Sequence, residues 1–271
     1  MTNLQPKFSI ITVCRNAEET IENTFKSIFA QSYKNYETIV IDGKSTDNTL
    51  NIIEKYKNQI SKVVSESDTG IYNAMNKALN LASGSYLFFL NANDSFYECD
   101  VLEKVAEVLT ANPNIDFLYG DANYISKDGK IKTLTRFNNF VIKSYNFISL
   151  MNINHQTIFY KKNLFETFGE YDENIKLLAD WDFNIRCLYK TKTLTKYVPI
   201  VISNYQLGGL SNNKSMQDVL EKDKILVKTN ANKKNTILDK IFIKLDSYLY
   251  WHFEFARKFL NPKRILWWQY W

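Results

Sequence analysis

Three apolar runs constrain this chain most: Phe8 to Cys14, Tyr36 to Asp42 and Tyr86 to Leu90. Apolar and polar residues do not alternate along them. A strand with one wet face alternates, whereas a strand buried on both faces does not, and such strands belong to parallel sheets covered by helices. Helical patterns separate the runs. Ile21, Phe25, Ile28 and Phe29 sit at helical spacing, behind Asn16-Ala-Glu-Glu19, which reads as an N-cap with Glu at the third position. A second helix starts near Asp47 after the turn Gly43-Lys-Ser-Thr46, a third covers Ile71 to Ala82, and a fourth runs from Asp100 to Thr110. A strand follows over Ile115 to Gly120. Strands alternating with helices imply crossovers. The expected fold class is α/β, with a mostly parallel central sheet flanked by helices.

The pattern changes after about residue 121. Asn123 to Ser126 and Lys130 to Thr135 flank Lys127-Asp128-Gly129, a hairpin signal. A strand (Thr157 to Tyr160), a helix (Trp181 to Tyr189) and a strand (Tyr197 to Ile202) come next. Residues 7–121 thus look like a nucleotide-type half, and 122–230 like the mixed half that often handles an acceptor. Lys228 to Thr236 is polar and reads as a linker. Beyond it, residues 240–271 hold four of the five Trp and six basic residues against two acids, which is +4 of the chain's net +5.

Composition removes several classes. Aromatic residues reach 15% and charged residues 23% of the 271, so a disordered chain is excluded. Eight Gly and four Pro exclude collagen-like and linker-like chains. Cys14, Cys99 and Cys187 cannot build a disulfide framework, and with two His they do not make a zinc site. A reducing compartment is expected. The run from Phe8 to Cys14 is short for a signal peptide, and no run approaches the roughly 18 apolar residues of a membrane span. The expected location is cytoplasmic, at most peripheral to a membrane. Basic charge confined to the tail, without a recognisable motif, speaks against nucleic acid.

Open α/β sheets bind ligands beyond the carboxyl ends of their strands. Three strands here end in polar clusters: Thr12 to Asn16, Asp42 to Thr46 and Asn91 to Asp94. No G-x-G-x-x-G and no P-loop is present, which weakens dinucleotide and ATPase readings. Asp42 can accept from a base N–H or a ribose hydroxyl, or simply cap the next turn. Asp94 ends the most apolar strand and is a hard oxygen ligand for Mg²⁺ or Mn²⁺ shared with phosphate, or equally a turn residue. Asp180 and Asp182 flank Trp181 at a helix start. One can face a site while the other caps, or both can serve the helix dipole. Arg186 stands one turn beyond Asp182, the spacing of an ordinary i, i+4 pair.

In order and spacing, FSIITVCRN, VIDGKSTDNT, ESDTGIYNAMNKALNLASG, FLNAND and LADWDFNIR together resemble glycosyltransferase family 2, in its bacterial cell-surface polysaccharide branch. The resemblance covers roughly residues 7–210. It implies a GT-A fold over 1–230, with 231–271 as a helical tail, and a nucleotide-diphosphate sugar, UDP-linked, as donor. Thr12, Arg15 and Asn16 match the family's first nucleotide loop, and Asp42 the acid that holds the base. Asp68 and the stretch Asn73 to Lys77, with Asn76 and Lys77, match the segment lining nucleoside and phosphates. Asn91 to Asp94 matches the D-x-D-type metal cluster, with Asp94 as ligand and Asn93 where an Asp is common. Asp180 matches the catalytic base, with Ala179 where a second acid often sits. His155 matches a His-Gln segment of this branch, either as a diphosphate or acceptor contact or as a hydrogen-bonded structural His; Asn93 and Asp182 are further candidate contacts there, and Gly208-Gly209-Leu210-Ser211 resembles a glycine-rich segment that either closes over the donor or is a plain turn.

The implied reaction is inverting transfer, assisted by Mn²⁺ or Mg²⁺, to a lipid-linked saccharide in O-antigen or capsule-type synthesis. In the tail, Trp, Tyr, Lys and Arg favour a membrane interface, here the inner face of the cytoplasmic membrane. The same residues could pack on a domain or in a dimer. Two other functions fit parts of the pattern. A sugar-nucleotide pyrophosphorylase would need a glycine-rich loop after the first strand, which Val13 to Asn16 lacks. An inactive, membrane-docked scaffold is favoured by Asn93 and opposed by Asp94 and Asp180.

Overall fold

The computed structural model describes residues 5–126, 128–134, 152–189 and 191–207, together with Ile225. All of them lie in the first of two units into which the chain divides, Met1–Ile225; the second, Leu226–Trp271, is outside the described residues. The Gly208 to Ser211 segment, the linker and the tail therefore lie outside them as well.

The strands are β1 (Phe8–Cys14), β2 (Tyr36–Asp42), β3 (Lys62–Ser65), β4 (Tyr86–Phe89), β5 (Ser95–Phe96), β6 (Phe117–Ile125), β7 (Ile131–Leu134), β8 (Ile158–Lys161) and β9 (Thr195–Gln206). Among the described residues the helices are α1 (Ile21–Phe29), α2 (Thr49–Lys55), α3 (Ile71–Leu81), α4 (Val101–Ala111), α5 (Asn163–Phe168) and α6 (Ala179–Leu188), with a 3-10 turn at His155–Thr157 and Ile225 helical as well. One sheet holds every strand, in the order β3-β2-β1-β4-β8-β6-β9-β5, with β7 paired to β6. β3, β2, β1 and β4 run parallel. β8 is antiparallel to both β4 and β6, which leaves β6 and β9 pointing the same way as β1. The sheet is thus parallel in its first half and mixed in its second, where the sequence pattern changes. The carboxyl ends of β1, β2, β4, β6 and β9 share one edge with the residues that precede β8.

Both faces are covered, which is why β1 and β2 show no alternation. On one face Phe8, Ile10, Val40, Phe88 and Phe159 pack with Phe25 and Ile28 of α1 and Leu102 and Val105 of α4. On the other, an aromatic cluster joins sheet and helices: Phe89 meets Phe165 and Tyr171, Tyr160 meets Phe183, and Phe165 stacks on Phe183 at 4.1 Å. Burying one such ring contributes about 1.5–3 kcal/mol. This cluster carries α6, and with it Asp180, onto the sheet.

Asn16 does not cap α1. The N-cap is Thr20, and Asn16, at φ 49°, turns its side chain to the neighbouring loop, where Oδ1 accepts from Thr46 N at 2.9 Å. A long-range pairing has taken the side chain that local spacing assigns to the helix. The hairpin forms as expected, with Gly129 at φ 76° in the turn and its N–H donated to Ser126 O at 2.8 Å.

Candidate active site

Two buried carboxylates face each other across the 3-10 turn before β8. Asp180 opens α6 and is 7% exposed. Its Oδ2 accepts from Asn152 Nδ2 at 2.8 Å and lies 3.3 Å from His155 Nδ1. Its Oδ1 lies 3.0 Å from the Tyr72 hydroxyl, which also donates to Leu177 O. Asp94 follows β4 and is 5% exposed. Its Oδ1 accepts from Gln206 N at 2.9 Å and its Oδ2 from Gln156 Nε2. Adjacent residues of one turn therefore hold the two acids, His155 the first and Gln156 the second. Asn91 Nδ2 lies 3.1 Å from His155 Nε2, so the ring bridges Asn91 and Asp180. The pair His155-Gln156 is the sequence signal for this arrangement, and Asn91 belongs to the Asn91 to Asp94 cluster; no sequence pattern marks Tyr72 or Asn152.

The two acids differ in electrostatics. Burial raises the Asp180 carboxyl, but the hydrogen bond and charge of His155, with Asn152 and Tyr72, outweigh it and hold the group below its ordinary value. Burial pushes Asp94 up to about 7, and the donors from Gln206 and Gln156 with the nearby His155 offset it only in part. One acid is kept ionised by donors, while the other lacks enough countercharge. That is the split expected of a proton acceptor beside a cation-binding acid.

Whether Asp94 suits a divalent cation can be judged from its neighbours. Among the described residues no group of three or more His, Cys, Asp or Glu could hold an ion. Beside Asp94, however, the buried oxygens Gln156 Oε1 and Asn91 Oδ1 have no hydrogen-bond partner. One carboxylate and neutral amide oxygens fit Mg²⁺ or Mn²⁺ shared with a diphosphate, rather than a resident ion. Asn93 is exposed, at φ 102°, above this cluster.

The remaining expected site residues divide sharply. Arg15 is exposed and Asp68 half-buried, both at the open end of β1 and β2. Thr12 is 0% exposed within β1, so it cannot touch a ligand in the crevice, contrary to expectation. Asp42 is also 0% exposed; its oxygens accept from Ser45 N at 3.0 Å, Ser65 Oγ at 2.6 Å, Ser45 Oγ and Cys14 Sγ. It braces the loop. Asn76 is a clasp rather than a wall: Nδ2 donates to Tyr171 O at 2.9 Å and Oδ1 accepts from Tyr171 N at 3.0 Å. Lys77 pairs with Glu66 at 2.8 Å and donates to Ser67 O at 2.8 Å, tying down the loop after β3. Asp182 is 0% exposed and pairs with Arg186 Nε at 2.8 Å, which removes it from the site and bears out the i, i+4 pair.

Comparison with known proteins agrees with this geometry. The sequence model described as "Glycosyl transferase family 2" matches residues 9–169. A PGL/p-HBAD biosynthesis glycosyltransferase of Mycobacterium bovis is 36% identical over 211 residues, 76% of this chain and 80% of that one. The putative teichuronic acid biosynthesis glycosyltransferase TuaG of Bacillus subtilis is 36% identical over 132 residues, 48% of this chain and 52% of that one. Among solved structures, S. aureus TarS in complex with UDP superposes with a TM-score of 0.67 at 21% identity, covering 93% of this chain and 73% of that one. Another TarS chain is 60% covered. The mannosyltransferase PcManGT of Pyrobaculum calidifontis, in complex with GDP-Man and Mn²⁺, gives 0.61 at 18% identity over 86% of this chain and 66% of that one. These structures share the GT-A fold. With a sheet of that type, buried acids at its carboxyl edge and a family match over more than half its length, the chain belongs to glycosyl transferase family 2.

Proposed function

We propose that the protein moves a sugar from a nucleotide-diphosphate donor, UDP-linked, to a lipid-linked saccharide of a surface polysaccharide. The observation that carries the reading is the pair of unlike carboxylates joined by His155 and Gln156. Asp180 would take the proton of the acceptor hydroxyl as its oxygen attacks the anomeric carbon. The bond to the diphosphate breaks in the same step, so configuration inverts. Positioned proton transfer of this kind is worth about 10²–10⁴-fold. Asn152, His155 and Tyr72 hold Asp180 in place and ionised. Asp94, with the amide oxygens of Gln156 and Asn91, would hold Mn²⁺ or Mg²⁺. Such an ion, when bound, neutralises the charge that develops on the departing diphosphate. Arg15, Asn16 and Asp68 remain to receive the nucleotide, and Asn93 and His155 the diphosphate or acceptor.

Several likenesses support the donor and acceptor classes. TarS has been solved with UDP and with UDP-GlcNAc, and PcManGT with Mn²⁺. The names of the curated relatives place them in PGL/p-HBAD and teichuronic acid biosynthesis. A lipid-linked acceptor would make attachment through residues 231–271 to the cytoplasmic face of a membrane useful. Among the described residues no helix is long and apolar enough to cross one. The test is calorimetric titration with UDP, GDP and TDP, each with Mn²⁺, Mg²⁺ or EDTA. Metal-dependent preference for UDP is expected. Binding of none of the three would overturn the reading.

A further inference from the structure

Three side chains from the first two turns of α3 hold a single loop, the one that runs from Tyr171 to Leu178 and delivers Asp180 at the start of α6. At its beginning, Asn76 clasps both backbone groups of Tyr171. At its end, the Tyr72 hydroxyl sits between Leu177 O, at 2.8 Å, and Asp180 Oδ1, at 3.0 Å. Between them stands Glu173. Its Oε1 accepts from Asn76 Nδ2 at 3.0 Å and its Oε2 from Asn73 Nδ2 at 2.9 Å. Only a carboxylate can accept at both ends of such a fork; a glutamine would turn an N–H toward one of the two N–H donors. Asn73 has a second attachment: its Oδ1 accepts from Thr69 N at 3.4 Å, in the Asp68 loop that precedes α3. One side chain thus touches the loop assigned to the nucleotide and, through Glu173, the loop that carries the proton acceptor. Thr69 and Gly70 face Ile175 and Lys176 across a cavity of about 10 Å³, room for one water at most, so neither loop can shift far without the other.

We propose that Glu173 is a positioning residue for Asp180, and that Asn73 joins it to the Asp68 loop, so that nucleotide held at that loop firms the segment from which Asp180 projects. This rests on the reading of the crevice as a nucleotide site, and adds the route by which the donor end of the crevice reaches the base. The joint can be reversed without changing net charge. Glu173→Gln alone sets an N–H against Asn73 Nδ2, and Asn73→Asp alone sets two carboxylates face to face. Combined, the two substitutions restore a donor opposite an acceptor, and position 73 keeps an oxygen for Thr69 N.

Amide exchange of the full chain, read by mass spectrometry with and without UDP and Mn²⁺ beside calorimetric UDP affinity, tests this. In wild type UDP should slow exchange over residues 66–73 and also over 171–180, the latter by about fivefold or more, the lower end of ordinary coupling between sites. Each single variant should bind UDP near wild-type affinity and keep the protection at 66–73, but lose it at 171–180. The double variant should regain it. A residue that only supports the fold would change exchange in the free protein and leave the response to UDP alone. Protection confined to 66–73 in wild type would overturn the inference while the nucleotide site stands. So would single variants that keep the response at 171–180, or a double variant that does not recover it. If wild type binds no UDP, the site reading falls and the inference falls with it. Should one single variant fail to fold, the other single variant and the double variant decide.

Discussion

Asp94 shows how a single residue can be placed against its own stability. Its carboxyl is held near pKa 7 by burial, so ionising it in the free protein costs folding energy. The sign follows: a raised native pKa favours the protonated form. Stability is full below the unfolded value near 4 and falls as pH rises through about 7. Asp94→Asn removes the charge, keeps an acceptor for Gln206 N, and lets Gln156 turn its unpartnered Oε1 to the new amide. We expect the variant to be more stable than wild type by up to about 4 kcal/mol at about pH 8, without metal or nucleotide, and little different at about pH 4. Urea unfolding at the two pH values measures it; equal stability at both would show that the acid carries no such burden.

Among the elements, α3 illustrates what a motif conceals. Asn76 spans from α3 to both backbone groups of Tyr171 and to Glu173 Oε1 at 3.0 Å. Truncating it to alanine leaves those groups buried without partners. The expected loss is about 1–3 kcal/mol of stability, with UDP affinity unchanged. Unchanged stability with lost affinity would return Asn76 to the nucleotide site. Such contacts explain what was legible in the sequence. Unbroken apolar runs, β1, β2 and β4, and amphipathic helices, α1 to α4, declare themselves by pattern. The four residues of β3, the two of β5 and the six of α5 are too short to show a period. The site was legible as a set of acids at strand and helix ends. The pairing of Asp182 with Arg186 was legible from its spacing, but the closing of Asp42 was not, because Ser65 and Cys14 arrive from other strands to occupy it.

At the scale of the whole molecule, one sheet edge gathers residues as distant as Arg15 and Gln206, and an aromatic cluster seats α6 against it. The tail's +4 charge and its four Trp suggest how such a body would meet a lipid-linked acceptor. Deleting residues 240–271 should abolish co-sedimentation with anionic liposomes while leaving UDP binding intact. Unchanged sedimentation would remove the membrane from the account. The division of labour between the two carboxylates stands or falls with Asp180→Asn. Measured side by side, UDP affinity by calorimetry should stay near wild type, while turnover of the sugar donor should fall by about 10²–10⁴-fold. Turnover that survives the substitution, or affinity lost along with it, would contradict the assignment of Asp180 as the proton acceptor.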